Sequence, residues 1–349
     1  MSQMKCAVIG AGWWSTFAHI PALQNHPDAE VIAITKRTRE AAEKVAADFN
    51  IPNPCITIEE VLALKPDAVV IGTTPNVHFE QAKSLLEQGI HVLIEKPMTL
   101  HLEEARELIE IARSKHLQFL ISCPWHYTRH SLQARKRILD GELGEIRLIS
   151  ILMTNFVEDF IRGTSTTDTH SGEGSYLEPN KASYSDPTVA GGGQVYTQVS
   201  HVAAYLKYLT QQDPTNVYAQ FDNAGAAVDL FDAMTIKMDK GTLVSLASAG
   251  APMQTERQYE VRIFGDKGMI FLELWKGTIS IHNRQNEVVH LDNLTEEEIY
   301  PHEAPAINLI DAITGKADNL SPATFGLSAM EIIDAACRSA ESGEAIFIR

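Results

Sequence analysis

The chain lacks a surplus of basic residues, and this absence excludes one broad class of partner. Its 45 Asp and Glu residues outnumber its 29 Lys and Arg residues, so the formal net charge at pH 7 is -16. A protein that binds nucleic acid must present positive charge to the phosphate backbone. We therefore expect no nucleic-acid partner.

Long apolar runs and paired cysteines are also missing. No apolar run approaches the length of a membrane span, and residues 1–5 lead directly into a strand-like pattern instead of the apolar core of a signal peptide. The four cysteines (Cys6, Cys55, Cys123 and Cys337) show no CxxC spacing, which is typical of reduced, packed thiols. We expect a cytoplasmic protein with no membrane contact and no metal site.

The chain does have the length and apolar content for more than one domain. Its 349 residues exceed one ordinary domain, and 44% of them are hydrophobic, as in soluble globular proteins. These values predict two domains, each with its own core.

A strand, a glycine turn and a helix open the chain. Apolar residues 5–9 run into Gly10-Ala11-Gly12, and a helical pattern follows. Gly10 permits a tight turn, and Gly12 lets a pyrophosphate approach backbone N–H groups at the helix start. Ser15 occupies the third glycine position, so we expect slightly looser packing between helix and strand. The cofactor-binding candidates in this turn are Gly10, Gly12, Trp13 and Trp14.

The end of the second strand, residues 31–35, bears on which nicotinamide cofactor binds. An NAD site usually has an acid about 20 residues beyond the glycines, whereas an NADP site has cations there. This chain reads Thr35-Lys36-Arg37-Thr38, with no acid before Glu40. Cations and hydroxyls suit a 2'-phosphate, which favours NADP(H) over NAD(H). The alternative is that Lys36 and Arg37 belong to a solvated loop.

Strand and helix patterns then alternate as far as residue 141. Such alternation predicts a parallel, doubly wound sheet with α/β architecture. Further strands are predicted at residues 67–72, 91–94 and 118–121, and helices at 39–49, 77–88, 102–114 and 129–139.

The corner after strand 91–94 is where a doubly wound sheet places its chemistry. Glu95 can accept hydrogen bonds there, Lys96 can give or take a proton if desolvated, and Pro97 fixes the turn. On these residues alone, a surface Glu-Lys pair is the simpler interpretation.

The exit of strand 67–72 carries a second polar segment. Small hydroxyls, a proline and an Asn that caps the next helix predict a tight wall beside a cofactor ribose. The candidates in this segment are Thr73, Thr74, Pro75, Asn76 and His78.

From residue 145 the pattern changes to strands with few helices, which predicts a second, mainly antiparallel open sheet. We place a Rossmann domain at residues 1–124 and an α/β domain at 125–349, and helices near the C-terminal end could pack back on the first domain. The predicted strands are residues 146–153, 217–221, 227–238, 242–249, 259–264, 269–274 and 278–282. Residues 159–190 show no periodicity, and their aromatic and charged side chains favour a lid. Those side chains are Arg162, His170, Tyr176, Lys181 and Tyr184.

Taken together, these motifs resemble those of the glucose-fructose oxidoreductase, inositol dehydrogenase and rhizopine-catabolism family (Gfo/Idh/MocA), over nearly the whole chain. The Glu-Lys-Pro element combined with a downstream glycine triplet and His is specific, whereas the glycine turn alone is not. The matching residues are Gly10-Ala11-Gly12, Thr74-Pro75-Asn76 with His78, Gly89 with residues 91–97, and Gly191-Gly192-Gly193 with His201.

The resemblance implies NAD(P) on the first domain, sugars or polyols as substrates, and a second domain whose open sheet covers the site and forms oligomer contacts. It implies a homo-oligomer, a dimer or a tetramer. Lys96 would contact the reacting hydroxyl, and His201 would be a general acid/base, which suits its titration near neutral pH. Glu95 would hold Lys96 or the cofactor, and Asn76 with His78 would bound the nicotinamide ribose pocket.

One position departs from the family pattern. Dehydrogenases of the family usually carry an Asp four residues before the His, and this chain has Thr197 there. Thr197 cannot act as a base, and the adjacent Gln198 could only bind a substrate hydroxyl. Lys96 and His201 remain the strong candidates for proton transfer.

Residues after the last Rossmann strand lie where the family lines its substrate cleft. Trp125 is equally consistent with a sugar-stacking surface and with a core aromatic. For His126, an exposed loop position is the favoured interpretation. The substrate candidates are Trp125, His126, Tyr127, Arg162, Thr197, Gln198 and His201.

Three functions follow from these residues. The leading one is an NAD(P)-dependent oxidoreductase of a sugar, sugar derivative or cyclic polyol. The second is a redox-mediated glycoside hydrolase, in which oxidation, elimination, hydration and re-reduction leave no net redox change. The third is a non-catalytic nucleotide-binding sensor, which does not require both Lys96 and His201.

Overall fold

The structure is a computed structural model that describes residues 3–164, 176–177, 182–253 and 256–348. These residues form two compact units. The first comprises residues 3–122, 176–177, 182–183 and 302–327, and the second comprises 123–164, 184–253, 256–301 and 328–348. The two units first divide between Ser122 and Cys123, two residues before the predicted boundary.

The described part of the first unit contains a parallel sheet of six strands. Its strands are β1 (Met4–Ile9), β2 (Ala29–Thr35), β3 (Asn53–Cys55), β4 (Ala68–Ile71), β5 (His91–Ile94) and β6 (Phe119–Ile121). Their order across the sheet is β3-β2-β1-β4-β5-β6. Because the order reverses between β1 and β4, the crevice beyond their carboxyl ends is where such folds bind ligands. This order confirms the predicted doubly wound fold.

Helices connect these strands and continue through the second unit. The four helices predicted at residues 39–49, 77–88, 102–114 and 129–139 begin and end within one residue of the predicted positions. Helix α4 begins at His78 after a 3₁₀ turn, Pro75–Val77, and no side chain caps it, so the prediction that Asn76 caps this helix is wrong. The helices are α1 (Ile20–Asn25), α2 (Arg39–Asp48), α3 (Ile58–Ala63), α4 (His78–Glu87), α5 (Leu102–Ser114), α6 (Arg129–Leu139), α7 (Glu158–Ile161), α8 (Ala182–Ser185), α9 (Pro187–Ala190), α10 (Ser200–Thr210), α11 (Glu296–Ile299), α12 (Ala304–Thr314) and α13 (Ala323–Ser342).

The core of the first unit lies between the sheet and its helices. Val8 and Leu93 are fully buried, as expected of strands covered on both faces. Helix α12, from near the C-terminal end of the chain, contributes Ala306, Leu309 and Ile310 to the same core.

The second unit contains a sheet of nine strands among its described residues. These are β7 (Ile146–Thr154), β8 (Pro214–Asp222), β9 (Phe231–Met238), β10 (Leu243–Ala249), β11 (Gln258–Gly265), β12 (Gly268–Glu273), β13 (Thr278–Asn283), β14 (Val288–His290) and β15 (Ile346–Phe347). Their order is β14-β13-β12-β11-β7-β10-β9-β8-β15. Only β7 and β10 pair in parallel within this described sheet, so the prediction of a mainly antiparallel sheet is confirmed.

One predicted strand starts later than expected. Residues 227–230 do not extend β9, because Asp229 binds residues 193–195 instead of a neighbouring strand. Its carboxylate accepts the N–H groups of Gly193 and Val195, and its carbonyl accepts the N–H of Gln194.

One face of the nine-stranded sheet exposes apolar side chains, and we call it the open face. The strand register brings Leu148, Leu243 and Phe231 to this side of the sheet, together with Leu152 and Tyr218. Their exposed fractions range from 36% to 54%.

Residues 165–175 and 178–181 of the predicted lid lie outside the described residues, and His170 and Lys181 are among them. Tyr176 belongs to the first unit, where its hydroxyl donates to Asp48 and its ring meets Phe49 edge-on at 5.2 Å. The hydrogen bond to Asp48, followed by burial, raises the pKa of Tyr176 to about 12. Throughout the described ranges, no helix is both long and apolar enough to cross a membrane.

Candidate active site

The glycine turn after β1 is held by the protein itself at Gly10. Its φ is +81°, and its N–H donates to Thr35 Oγ1 at 3.0 Å. A Cβ at this position would lie 2.6 Å from Thr73 Cγ2 and 2.8 Å from the Thr73 backbone nitrogen. Only glycine fits both this conformation and this approach.

Gly12 is not required by packing within the described structure. It does not have a positive φ, and a Cβ there would meet only the Gly10 carbonyl oxygen, 4.0 Å away. The open space lies at the start of the helical segment, where the first N–H groups lack partners within the helix. This cradle fits the pyrophosphate of a dinucleotide.

Ser15 packs closely instead of loosening the turn. It is fully buried, and its hydroxyl donates to the Gly10 carbonyl at 2.8 Å. A Cβ on Gly72 would lie 2.1 Å from the Ser15 hydroxyl, so the absent side chain at residue 72 provides the space. The expected looser packing is therefore not observed.

The cations after β2 differ in their surroundings. Lys36 is half-buried and donates to the Ala11 carbonyl at 3.1 Å, while burial, followed by the charge of Arg37, lowers its pKa. Arg37 is exposed, and Thr38 accepts the Ala41 N–H as the cap of α2. The segment thus keeps two positive groups beside the glycine turn.

The corner after β5 is organised by one carboxylate. Glu95 Oε1 accepts the indole N–H of Trp14 and Nε2–H of His19, each at 2.8 Å, and Oε2 accepts the Lys96 N–H at 3.3 Å. The Glu95 side chain is only 13% exposed. Burial by itself raises its pKa, but the His19 hydrogen bond and charge, with the charge of Lys96, hold the pKa below its ordinary value. The corner therefore presents an ionised carboxylate beside Lys96, which is half-buried.

His78 connects this corner to the segment after β4. It is fully buried, with Nδ1 2.9 Å from the Pro97 carbonyl and Nε2 3.1 Å from the Thr73 carbonyl. Burial lowers its pKa. In this position His78 holds the two segments together and offers no exposed surface to a ligand.

The rest of the segment after β4 is fixed by short hydrogen bonds. Thr73 donates to Gln81 at 2.7 Å, and Thr74 donates to Asn76 at 2.7 Å. The first unit therefore places most predicted cofactor residues at the carboxyl ends of three neighbouring strands, β1, β4 and β5, with Lys36 and Arg37 after β2.

Predicted substrate residues of the second unit lie on and near α10. Thr197 belongs to a π-helical turn, Val195–Val199, and its hydroxyl donates to the Gly193 carbonyl at 2.8 Å. Gln198 and His201 are 8% and 5% exposed. Trp125 meets the His201 ring edge-on at 5.1 Å.

Trp125 has the surroundings of a core aromatic. It is 3% exposed and also makes edge contacts with Tyr259, Trp275 and Tyr300 at centroid distances of 4.7–5.0 Å. Such an enclosed ring leaves little surface on which a sugar could stack.

The expectation of an exposed His126 is wrong. His126 is 1% exposed and stacks on Tyr208 with centroids 4.5 Å apart. Burial, and then the charge of Arg135, lowers its pKa to about 3. Tyr127, its neighbour, is half-buried. Arg162 pairs with Glu158 at 2.7 Å and donates to the Ala224 carbonyl at 3.0 Å.

Among the residues that the sequence analysis did not predict, two bind distant parts of these sites. His19 binds Glu95 across 76 positions of the chain, and Asp229 caps the Gly193–Val195 turn across more than 30. A polar residue within an apolar helical pattern was the only local signal for His19, and it does not identify a partner.

Comparison with known proteins agrees with this architecture. A family model described as an oxidoreductase family with an NAD-binding Rossmann fold matches residues 4–122, and one for the GFO/IDH/MocA C-terminal domain matches residues 131–271. The chain belongs to the Gfo/Idh/MocA oxidoreductase family. The predicted resemblance is thereby confirmed, including the NAD(P)-binding Rossmann domain.

Individual relatives in the family vary in how much of their length is matched. An uncharacterized oxidoreductase from Synechocystis is 30% identical over 77% of this chain and 71% of its own. A D-glucoside 3-dehydrogenase from Escherichia coli is 29% identical over 42% of each chain. Several other curated relatives are matched over only 40–46% of their length. The crystal structure of an aldose-aldose oxidoreductase from Caulobacter crescentus has the same fold, with a TM-score of 0.80, 18% identity and 99% coverage of both chains.

Proposed function

We propose that this protein transfers hydride between NADP(H) or NAD(H) and a hydroxyl-bearing carbon of a sugar, sugar derivative or cyclic polyol. The observation that carries the proposal is the Glu95-Lys96 corner, which lies at the strand ends beside a glycine cradle open to a pyrophosphate. Family membership supports the reaction type, and relatives named for glucosides and aldoses support the substrate class.

Lys96 is the residue that we propose binds the reacting hydroxyl. An ionised Glu95 stabilises a protonated Lys96. Lys96 can then donate a hydrogen bond to the substrate hydroxyl oxygen while the C–H bond of the hydroxyl-bearing carbon is broken. A bound nicotinamide supplies the hydride acceptor. His201 is proposed as the group that takes or returns the proton, because an imidazole side chain can both accept and donate a proton.

The proposal favours NADP(H) over NAD(H). Arg37 is exposed, Lys36 is held beside the glycine turn, and no acid follows β2 before Glu40. The exposed Thr38 accepts a backbone N–H with its hydroxyl oxygen, and its O–H can still donate to a phosphate.

The redox-mediated hydrolase is a second candidate. It is motivated by Thr197, which stands where dehydrogenases of the family usually carry an Asp: its hydroxyl donates to a backbone carbonyl and supplies no base. Oxidation, elimination, water addition and re-reduction would then leave the nicotinamide unchanged after each turnover.

A single experiment separates these candidates. Purified protein is incubated with a panel of sugars, polyols and glycosides plus NADP or NAD, and absorbance at 340 nm and product are followed together. Sustained nicotinamide reduction supports a dehydrogenase, and glycoside cleavage without net reduction supports the hydrolase. Nucleotide binding with neither product supports a sensor.

The Lys96→Ala variant tests the proposed role of Lys96. We expect turnover to be lost while nucleotide affinity changes little, because the glycine cradle is untouched. Lys115→Ala, at the end of α5, is a matched control that removes an exposed lysine of the same unit. Turnover retained in Lys96→Ala contradicts the assignment.

A further inference from the structure

A buried histidine that the proposed reaction does not use lies against the Glu95-Lys96 corner. His19 is fully buried, and its Nε2 lies 2.8 Å from Glu95 Oε1. We propose that His19 is a positioning residue that keeps Glu95 ionised and oriented, and thereby maintains the negative charge beside Lys96. This inference rests on the proposed function of Lys96.

The shape of the helix after the glycine turn allows this contact. In an α-helix, residues five apart point about 140° away from each other, because each residue turns about 100°. Residues Ser15–His19 instead form a π-helical turn, whose hydrogen bonds join residues five apart. Trp14 and His19 therefore lie on one side, with ring centroids 6.5 Å apart, and both bind the same oxygen of Glu95.

The two carboxylate oxygens of Glu95 accept hydrogen bonds from different parts of the site. Oε1 takes the side chains of Trp14 and His19, which come from the segment after the glycine turn. Oε2 faces the backbone N–H of Lys96. The carboxylate thus connects the nucleotide-binding turn to the proposed catalytic lysine, and His19 anchors it from the buried side.

Among the residues that the structure describes, the charged and titratable groups around Glu95 are His19, Lys96 and His78. Burial of Glu95 favours its protonated form, and the bond and charge of His19 are the foremost opposing influences. Without His19, Glu95 should take up a proton at a higher pH. A protonated Glu95 no longer places a negative charge beside Lys96.

The test compares His19→Leu, His19→Gln and the control His26→Leu. His26 is also a buried histidine of the first unit, and it pairs with Asp311 at 3.3 Å instead of with Glu95. The pKa of Glu95 is followed by ¹³C NMR of the side-chain carboxyl in nucleotide-free protein, with the signal assigned from Glu95→Gln. The acidic limb of the kcat–pH profile is measured on the same variants.

We expect His19→Leu to raise the pKa of Glu95 by about one unit or more, and kcat to fall at pH values at which Glu95 of the variant is protonated but that of the wild-type protein is not. His19→Gln keeps an N–H donor and should restore most of this change, while His26→Leu should leave both readouts at the wild-type position. An unchanged Glu95 pKa in His19→Leu, or an equal change in His26→Leu, overturns the proposal.

Two provisions keep the outcome decisive. If His19→Leu does not fold, the imidazole ¹⁵N signals of His19 in the wild-type protein are followed over the same pH range, and signals that stay unchanged while Glu95 titrates overturn the proposal. The NMR titration needs no substrate. A wild-type protein without turnover therefore overturns the proposed function, and the titration still decides the role of His19.

Discussion

Three glycine-to-alanine variants of the first unit test separately the effects of backbone conformation, of packing and of space for a ligand. Gly89→Ala adds a Cβ at φ +79° in open space, so it should cost only the left-handed conformation, about 1–2 kcal/mol. Gly10→Ala has the same conformational cost, because its φ is +81°. It also places the new Cβ only 2.8 Å from the Thr73 backbone nitrogen. Because overpacking typically costs about 1–3 kcal/mol, we expect a total of about 2–5 kcal/mol for Gly10→Ala.

Gly12→Ala should behave in the opposite way. The added Cβ meets only the Gly10 carbonyl, at 4.0 Å, so the free energy of unfolding should stay within about 0.5 kcal/mol of the wild-type value. The same methyl group occupies the cradle proposed for the pyrophosphate. We expect nucleotide affinity to fall at least about tenfold, which is about 1.4 kcal/mol.

Urea unfolding without nucleotide and titration with NADPH measure the two effects separately. The expected order of lost stability is Gly10→Ala, then Gly89→Ala, then Gly12→Ala. The reasoning is refuted if Gly12→Ala loses as much stability as Gly10→Ala, or if it binds NADPH as tightly as the wild-type protein.

Three further predictions concern the cofactor, acid stability and assembly. Arg37→Ala should weaken binding of NADPH much more than that of NADH, because the exposed guanidinium is the proposed partner of the 2'-phosphate. The buried His126 should make the fold sensitive to acid. Below about pH 6.5 the unfolded chain binds a proton that the folded protein accepts only near pH 3, so up to about 5 kcal/mol of stability is lost as the pH falls between these values. His126→Phe should flatten this dependence in urea unfolding at pH 7.5 and 5. The open face is proposed as a homo-oligomer contact, and Leu243→Glu, at a residue 54% exposed, should lower the mass measured by light scattering.

Each of these predictions has a control or a contradicting outcome. Arg39→Ala removes a nearby guanidinium that pairs with Glu60, and it should not change the preference between nucleotides. An unaltered pH dependence in His126→Phe contradicts the role of that ring. Leu139→Glu places the same charge on α6, at a residue 48% exposed, and should leave the mass unchanged. A wild-type protein that is already monomeric contradicts the oligomer proposal.

Local sequence pattern was sufficient to predict the bounds of an element where that element is periodic and its apolar side is covered. The strand His91–Ile94 and the helix Arg129–Leu139 have the predicted bounds. The strand Asn53–Cys55 was missed, because three residues that include a proline carry no periodic signal. The start of β9 was misplaced because the Asp229 side chain binds a distant turn, which no local pattern contains.

The sequence alone determined the doubly wound first sheet, the mainly antiparallel second sheet, the glycine turn and the Glu-Lys-Pro corner, because each depends on neighbours in the chain. Only the tertiary structure decided what these residues contact. The Trp14–Glu95 bond spans 81 positions, the Gly10 turn needs the close approach of Thr73, and His126 is buried by Tyr208 from another helix. The physical reason is that burial and hydrogen-bond partners are set by the packing of distant segments, whereas strand and helix periodicity are set by the covalent order of the chain.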